Sequence, residues 1–313
     1  MKPRTLFLGT PAFAVPSLDA VKGLADAGTL ALVGVVTQPD RPAHRGALRE
    51  PPVKERARTI GVPVFQPAGL RGTALETVLA LRPELLVWAA YGNRIPATLI
   101  QAAAGHAVNV HASLLPRWRG AAPIAHAILA GDRETGVTLM LGTAELDAGP
   151  ILAQRRTAIA SGETRGQLET RLAAVGGALL ADELPRYLGA WPLGTPQDPA
   201  QVTHGPKLDP RAGALDFSRT AEELTRIVRA YTPDPGAYTT FRGQRVVVLR
   251  ATVNGGRGVE RGTLAIREGA PQVAAGAGWL RLDEVKPAGK RAMSGAEWAR
   301  GLRGLSGDER LPS

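Results

Sequence analysis

Short apolar runs alternate with amphipathic stretches through the first half of the chain. The stretches between the runs have apolar residues at helical spacing, as Leu18, Val21 and Leu24 do within residues 16–27. Each run is apolar at successive positions, which is typical of a strand that is buried on both faces. This alternation predicts an α/β fold, with a Rossmann-like parallel sheet flanked by helices. The predicted strands are residues 5–9, 30–38, 62–67, 85–92 and 107–113.

The pattern changes in the last third of the chain. Residues 164–189 have one long helical pattern, and residues 190–206 are rich in proline, glycine and polar residues, which is typical of a linker. Residues 216–230 are predicted to contain a further helix, with Ala221, Leu224, Ile227 and Val228 at helical spacing. After it, apolar residues recur at every second position between glycine-rich turns, which predicts a small, OB-like β-barrel. We therefore expect two domains, at 1–189 and 207–313. The segments with this alternation are 238–253, 262–268 and 272–285.

Composition narrows the class of protein. No apolar run reaches the roughly 20 residues that a membrane-spanning helix needs. The apolar N-terminus is interrupted by Gly9, Pro11 and Pro16, which favours a buried strand over a signal peptide. The chain has no cysteine, which excludes disulfides, zinc sites with thiolate ligands and a cysteine nucleophile. We expect a cytoplasmic protein.

The chain is strongly basic, with a net charge of +10 and an isoelectric point of about 10.6. Residues 207–313 carry 18 lysines and arginines against 12 acidic residues, so more than half of the excess charge lies there. A basic balance of this size favours a polyanionic partner, with nucleic acid first. A generally arginine-rich proteome is the alternative explanation.

Three polar residues form a candidate catalytic group. Asn109 and His111 are two positions apart near the end of a predicted strand, so their side chains share a face at the sheet edge where α/β folds bind ligands. Asp147 lies in a turn-like segment beside Gly149. An amide can donate to an oxyanion, an imidazole can relay protons, and a carboxylate can orient the imidazole. Each residue also has a structural explanation, as a buried amide, a packed histidine or a turn aspartate.

Two motifs resemble those of a known family. Residues 109–124 (NVHASLLPRWRGAAPI) and 146–149 (LDAG) are similar to the signatures of the 10-formyltetrahydrofolate-dependent formyltransferases. The resemblance implies that Asn109, His111 and Asp147 are catalytic. It also implies a tetrahydrofolate site formed by two segments. Their residues are Ser113, Leu114, Leu115 and Pro116, and Ala90, Tyr91 and Gly92.

Further segments resemble the members of this family that act on methionyl-tRNA. They are residues 7–18 (FLGTPAFAVPSL), 37–46 (TQPDRPAHRG) and 285–295 (VKPAGKRAMSG). The resemblance implies formyl transfer from 10-formyltetrahydrofolate to the amino group of initiator methionyl-tRNA in translation initiation. We expect a monomer that needs no metal. Basic residues of a loop and of the second domain are the expected tRNA contacts, although charge alone fits a solvated surface equally well. They are Arg41, Arg45, Arg49, Lys286, Lys290 and Arg291.

Three alternatives stay open from the residues alone. The glycine turn at 9–14 and Asp40 could belong to a nicotinamide site, but the GxGxxG fingerprint is incomplete. The chain could instead formylate a small amine such as an amino sugar, or bind RNA without catalysis. Three features depart from the family pattern. Glu145 stands where a glycine is expected, the loop at 46–52 is short, and residues 232–235 (TPDP) replace a stretch that usually contains Asn-Pro-Trp-Pro.

Overall fold

The computed structural model describes residues 2–42, 48–256, 259–302 and 309–312. The chain folds into two compact units. The first comprises the chain up to Pro123 together with Glu134–Ala158 and Glu169–Pro206. The second comprises Ile124–Arg133, Ile159–Leu168 and the chain from Lys207 onward.

The first unit is built on a seven-stranded sheet. The strands of this half of the chain are β1 (Arg4–Gly9), β2 (Ala31–Val36), β3 (Arg41–Pro42), β4 (Leu48–Arg49), β5 (Val64–Phe65), β6 (Leu85–Ala89), β7 (Ala107–His111), β8 (Glu134–Leu141) and β9 (Ile151–Ala158). The sheet order is β5–β2–β1–β6–β7–β8–β9, while β3 and β4 pair separately. Neighbours from β5 to β7 are parallel, and β8 and β9 are added antiparallel. The predicted parallel-rich sheet is thus confirmed.

Helices follow most of these strands. They are α1 (Val15–Asp26), α2 (Pro52–Thr59), α3 (Thr73–Leu79), α4 (Ala97–Ala102), α5 (Pro123–Ala130) and α6 (Arg165–Ala190). No helix among the residues that the structure describes is long and apolar enough to cross a lipid bilayer.

The two faces of the sheet are covered by different helices. On one face, Leu6 and Leu86 form a cluster with Ala107, and partly buried side chains of α3 and α4 pack against it. On the other face, α6 approaches so closely that a Cβ on Gly176 would lie 2.9 Å from Val110. Because side chains alternate along β7, the residues two and four positions beyond Ala107 also face the α3–α4 side. The site described below therefore lies on that face.

The second unit is built on an antiparallel sheet. Its strands are β10 (Ala237–Phe241), β11 (Gln244–Asn254), β12 (Leu264–Arg267), β13 (Ala270–Ala274), β14 (Trp279–Pro287) and β15 (Met293–Ser294). The order is β10–β11–β14–β13–β12, with β15 added on β14. Helix α7 (Ala221–Tyr231) packs on β11 and α8 (Gly295–Gly301) packs on β13 and β14. Both helices begin with a capping box, Thr220 with Glu223 and Ser294 with Glu297.

Two alternating segments of the second unit each contain a turn. The segment 238–253 divides at Arg242 and Gly243, whose φ angles of 47° and 75° suit the two-residue turn of a hairpin. The segment 272–285 divides between β13 and β14, where Gly278 has a φ angle of 78° and Gly276 lies against Ser218 with no room for a side chain. A Cβ there would be 2.1 Å from the Ser218 carbonyl oxygen. Both breaks occur at glycine, as turn chemistry requires.

Candidate active site

The carboxylate of Asp147 lies between the side chains of Asn109 and His111. Its Oδ1 atom is 3.4 Å from Asn109 Nδ2 and 3.6 Å from His111 Nδ1. Strand β7 supplies the amide and the imidazole, and the turn after β8 supplies the carboxylate. The exposed fractions of the three residues are 5% for Asn109, 6% for His111 and 8% for Asp147. The structure therefore brings the three residues together at the carboxyl end of a parallel strand.

The imidazole of His111 has an oxygen acceptor at each ring nitrogen. Its Nε2 atom is 3.0 Å from the carbonyl oxygen of Trp118, and its Nδ1 atom faces Asp147. A carbonyl oxygen can only accept, so Nε2 carries the proton in this contact. The Nδ1 atom faces the Asp147 carboxylate at 3.6 Å, which is the distance of an ion pair rather than of a hydrogen bond. Both ring nitrogens therefore face oxygen atoms, and the hydrogen bond at Nε2 fixes the orientation of the ring.

The turn that carries Asp147 is held in a conformation that few non-glycine residues adopt. Asp147 has a φ angle of 54°, in the left-handed region. The N–H of Gly120 donates to its Oδ2 at 2.8 Å. Two residues on, Gly149 passes the backbone of β8 so closely that a Cβ would be 1.7 Å from the Leu141 carbonyl oxygen. Such conformations persist where the surroundings determine them, and they cluster at functional sites.

The segment 113–116 is fixed against strand β8. Thr138 on that strand donates to the Ser113 carbonyl oxygen at 2.6 Å and accepts from the N–H of Leu115 at 3.1 Å. Gln154 on β9 donates to the Leu115 carbonyl oxygen at 2.8 Å. The peptide bond from Leu115 to Pro116 is cis. Because of these hydrogen bonds, the segment that the family resemblance places in the folate site has a defined backbone path directly after His111.

The segment 90–92 lies next to the end of β7. In the parallel pairing of β6 with β7, Ala89 is opposite Val110, so Ala90 follows beside His111. Ala90 and Gly92 have φ angles of 44° and 84°. The side chain of Tyr91 is buried in the core of the sheet, with 2% exposed. Only the backbone of this segment and the Ala90 side chain therefore face the outside.

Comparison with known proteins assigns the family. Residues 3–184 match the family described as formyl transferase, and residues 207–303 match its C-terminal domain. The chain belongs to the formyl transferase family.

Full-length relatives of this formyl transferase share one name. The methionyl-tRNA formyltransferase of Myxococcus xanthus (strain DK1622) is 44% identical over 310 residues, which is 98% of either chain. That of Halorhodospira halophila (strain DSM 244 / SL1) is 45% identical over 311 residues, which is 98% of this chain and 99% of the relative. The match thus runs through both units.

Solved structures with low identity share the fold. An N-formyltransferase from Helicobacter canadensis, in complex with folinic acid and dTDP-3-aminofucose, has a TM-score of 0.68 at 16% identity, covering 90% of this chain and 99% of that one. HypX from Aquifex aeolicus, in complex with tetrahydrofolic acid, has a TM-score of 0.63 at 18% identity, covering 97% of this chain. This chain spans 48% of that protein.

The candidate tRNA contacts of this formyl transferase fall in two places. In the first unit, Arg41 on β3 is paired opposite Arg49 on β4, and its guanidinium donates to Gln38 Oε1. Arg45, between them, lies outside the described residues. In the second unit, the other three basic residues are exposed on β14 and the turn that joins it to β15. They are Lys286, Lys290 and Arg291.

Asp40, the candidate ribose-binding acid, takes part in a local structural contact. Lys54 Nζ lies 2.6 Å from its Oδ2, and Gln66 Nε2 donates to its Oδ1 at 2.7 Å. These two hydrogen bonds hold the pKa of the Asp40 carboxyl below its usual value. Both carboxylate oxygens are thus engaged by neighbouring side chains of the same unit.

Glu145 is not part of the candidate catalytic trio, which consists of Asn109, His111 and Asp147. Its side chain is 77% exposed, and its Oε1 atom is 3.5 Å from Arg119. The backbone carbonyl of Glu145 accepts a hydrogen bond from Thr143 at 2.9 Å. The departure from glycine at this position is therefore accommodated on the surface of the turn, two residues before Asp147.

The segment predicted as a linker makes specific contacts beside the trio. Thr203 Oγ1 accepts from the N–H of Trp118 at 2.9 Å, and the N–H of Gly205 donates to the Arg119 carbonyl oxygen at 2.7 Å. Gln197 is buried and donates to the carbonyl oxygens of the turn that carries Asp147. Sequence reasoning missed these residues, because an irregular segment has no periodicity that shows which backbone groups it faces.

Proposed function

We propose that this formyl transferase moves the formyl group of 10-formyltetrahydrofolate to the amino group of initiator methionyl-tRNA, in translation initiation and in the cytoplasm. The observation that carries the proposal is the identity of 44% over 98% of the chain to a methionyl-tRNA formyltransferase. The N-formyltransferase from Helicobacter canadensis, solved in complex with dTDP-3-aminofucose, shares the fold at only 16% identity. The substrate of the full-length relatives is therefore favoured.

The residues at the site suit a direct transfer to an amine. A bond forms between the amine nitrogen and the formyl carbon, the bond from that carbon to N10 of the folate breaks, and the proton lost by the amine ends on N10. Negative charge develops on the formyl oxygen during this exchange. Asn109 Nδ2 has two N–H groups, and only one is directed to Asp147. The other is available to donate to the charged oxygen.

His111 and Asp147 supply the proton relay in this proposal. The ring of His111 would keep one proton on Nε2, toward the Trp118 carbonyl, and take a second proton on Nδ1, toward Asp147. Asp147 Oδ1 stabilises the doubly protonated ring, so His111 can take a proton from the amine and release it toward the leaving nitrogen. No serine or cysteine nucleophile is needed, since the amine itself attacks.

The folate would lie between the two segments that flank the end of β7. Residues 90–92 and 113–116 both follow buried strands, and open α/β sheets bind ligands at this edge. Each segment has a defined backbone, with left-handed residues in the first and hydrogen bonds to Thr138 in the second. Fixed backbone groups of this kind can orient a flat, polar ring such as a pterin.

The part of the second unit from residue 207 onward would bind the tRNA. Its excess of basic residues and its exposed Lys286, Lys290 and Arg291 suit contacts with phosphate. Arg41, Arg45 and Arg49 would contact the acceptor end from the first unit. These two groups of basic residues suit a polyanionic substrate such as tRNA, whereas a small-molecule substrate would not require such an excess of basic charge.

A direct assay tests the proposal. The protein is incubated with 10-formyltetrahydrofolate and either charged initiator methionyl-tRNA or nucleotide-linked amino sugars, and the formylated product is quantified. Transfer to the tRNA alone supports the proposal. Transfer to amino sugars alone would show that the substrate is a small amine and would contradict the proposal. Tight tRNA binding without transfer would favour a silent RNA-binding protein.

A further inference from the structure

Both the nitrogen and the oxygen of the Gln197 side-chain amide are hydrogen-bonded, to the turn that carries Asp147 and to Arg119. Its Nε2 atom donates to the carbonyl oxygens of Asp147 and Gly149, at 2.8 Å each. Its Oε1 atom accepts from Arg119 Nε at 3.0 Å. The residue is 9% exposed. Only a primary amide offers two donors and an acceptor in this arrangement, so its orientation is determined by its partners.

Gln197 is itself firmly placed. Thr195, two residues before it, exchanges two backbone hydrogen bonds of 2.8 Å with Ile151 at the start of β9. After it, Thr203 and Gly205 are bonded to the backbone of Trp118 and Arg119. The chain on both sides is thus tied to the same unit as the trio. A side chain held in this way can impose a position on the turn that it contacts.

The turn needs such support because its conformation is unfavourable in isolation. The left-handed region is unfavourable for residues other than glycine, because Cβ crowds the following carbonyl oxygen. Asp147 is such a residue, and the two carbonyl groups that Gln197 holds belong to Asp147 itself and to Gly149. Gly120 holds the end of the Asp147 side chain from a different direction. The backbone contact and the side-chain contact together fix where Oδ1 lies.

We propose that Gln197 is a positioning residue for formyl transfer, which acts by holding the backbone of Asp147 so that its carboxylate faces Asn109 and His111. This inference rests on the proposed function. Gln197 touches neither the amide nor the imidazole, and its effect on turnover passes through Asp147. Misplacement of a catalytic group by about 1 Å can cost on the order of 100-fold in rate.

The test replaces the donor end of the amide and keeps its size. In Gln197→Glu an oxygen replaces the nitrogen that donates to the two carbonyls, and in Gln197→Met both polar groups are removed at similar length. The matched control is Gln201→Glu, an exposed glutamine whose amide donates only to Asp198. We expect kcat to fall by about 10- to 100-fold in both Gln197 variants, with KM for the tRNA within about twofold of wild type. The control keeps the wild-type values.

A second comparison separates positioning from a general loss of structure. Gln197→Met and Gln197→Glu are each combined with Asp147→Ala. If Gln197 acts through Asp147, its substitution lowers the residual rate of Asp147→Ala by less than about twofold, since nothing is left to position. Thermal melting of every variant identifies those that fail to fold. If only one of Gln197→Glu and Gln197→Met folds, the result for that variant decides the test.

The outcomes are distinct. If the wild type is active and a folded Gln197 variant has unchanged kcat, the inference is overturned but the proposed function stands. The same holds if the Gln197 substitution lowers kcat equally in the wild-type and the Asp147→Ala backgrounds. A wild type that does not formylate methionyl-tRNA overturns the proposed function and this inference with it. A loss of kcat that disappears in the Asp147→Ala background supports the inference.

Discussion

The backbone N–H of Gly120 donates a hydrogen bond of 2.8 Å to Oδ2 of Asp147. This contact fixes one carboxylate oxygen and leaves Oδ1 facing both Asn109 and His111. The two oxygens of Asp147 therefore have different surroundings, since Oδ2 is bound to the backbone and Oδ1 lies toward the amide and the imidazole. The residue that donates this hydrogen bond has to be glycine. Gly120 has a φ angle of 114°, which side chains disfavour, and a Cβ there would lie 3.0 Å from the Gly205 carbonyl oxygen.

Removal of the Asn109 amide should abolish most of the turnover while the fold survives. Loss of a donor to a developing oxyanion typically costs on the order of 100- to 1,000-fold in kcat. We expect a loss of this size in Asn109→Ala, measured as formyl transfer to methionyl-tRNA, with folate binding close to that of wild type. Near-normal turnover in a folded variant would remove Asn109 from the mechanism.

The close approach at Gly149 should make that position intolerant of alanine. A Cβ there would lie 1.7 Å from the Leu141 carbonyl oxygen, so Gly149→Ala must displace the turn. We expect a loss of about 1–3 kcal/mol in the free energy of unfolding, together with lower turnover because Asp147 moves. The control is Gly23→Ala in α1, where a Cβ meets nothing within 4 Å. That change should stabilise the protein by about 0.5–1 kcal/mol. Denaturant titrations that show equal effects for the two variants would contradict this.

The fold follows from local patterns that the sequence displays. Strands such as β1 and β6 are apolar at successive positions because helices cover both faces of the sheet. The helix predicted within residues 216–230 begins at Ala221, because Thr220 and Glu223 form the capping box that starts it. Periodicity alone shows which residues pack, but the cap decides where the helix begins. The breaks between paired strands likewise depend on turn residues.

The basic hairpin of the second unit should contribute to tRNA affinity through phosphate contacts. Replacement of Lys286, Lys290 and Arg291 by glutamine should weaken binding at low salt and make the salt dependence shallower, since each lost phosphate contact removes close to one unit of slope. Turnover at saturating tRNA should stay close to wild type. The control is Arg186→Gln on α6, whose guanidinium is paired with Glu183. Identical salt slopes for wild type and the triple variant, from filter binding or fluorescence titration, would contradict this assignment.

The buried hydroxyl of Tyr187 should make stability depend on alkaline pH. Burial raises the pKa of Tyr187 to about 12, whereas an unfolded tyrosine titrates near 10. Between these values the unfolded chain loses its proton first. Stability present below pH 10 is therefore lost as the pH rises toward 12. Tyr187→Phe lacks this group, so its free energy of unfolding should fall less than that of wild type across this range. The free energy of unfolding is measured by denaturant titration at a series of pH values. If it falls in parallel for wild type and Tyr187→Phe, the raised pKa of Tyr187 is contradicted.

The site was only partly predictable from sequence, and the reason is separation along the chain. Asn109 and His111 share a face because the strand period is two, which is a local property. The contacts that position Asp147 are not local, since Gln197 is 50 residues from Asp147 and 78 from Arg119. They depend on the path of an irregular segment through space. No pattern within residues 190–206 shows that this segment returns to the trio.

Tyr91 illustrates a second limit of sequence reasoning. The family resemblance implied that it belongs to the folate site, and its segment does end beside His111. Its ring, however, is buried in the core, and its carbonyl oxygen accepts hydrogen bonds from Thr10 at 2.8 Å and Gln38 at 3.3 Å. Whether a motif residue presents its side chain or its backbone depends on the local φ angles, which here are left-handed at both neighbours.

The central claim is that the trio of Asn109, His111 and Asp147 performs the transfer. It is tested most directly by the single-turnover rate of formyl transfer to methionyl-tRNA, measured with saturating 10-formyltetrahydrofolate for wild type and His111→Ala in parallel. We predict a fall of about 100-fold or more for His111→Ala, the loss expected for a general acid–base group, with tRNA and folate binding preserved. A folded His111→Ala protein that transfers formyl at the wild-type rate would contradict the account.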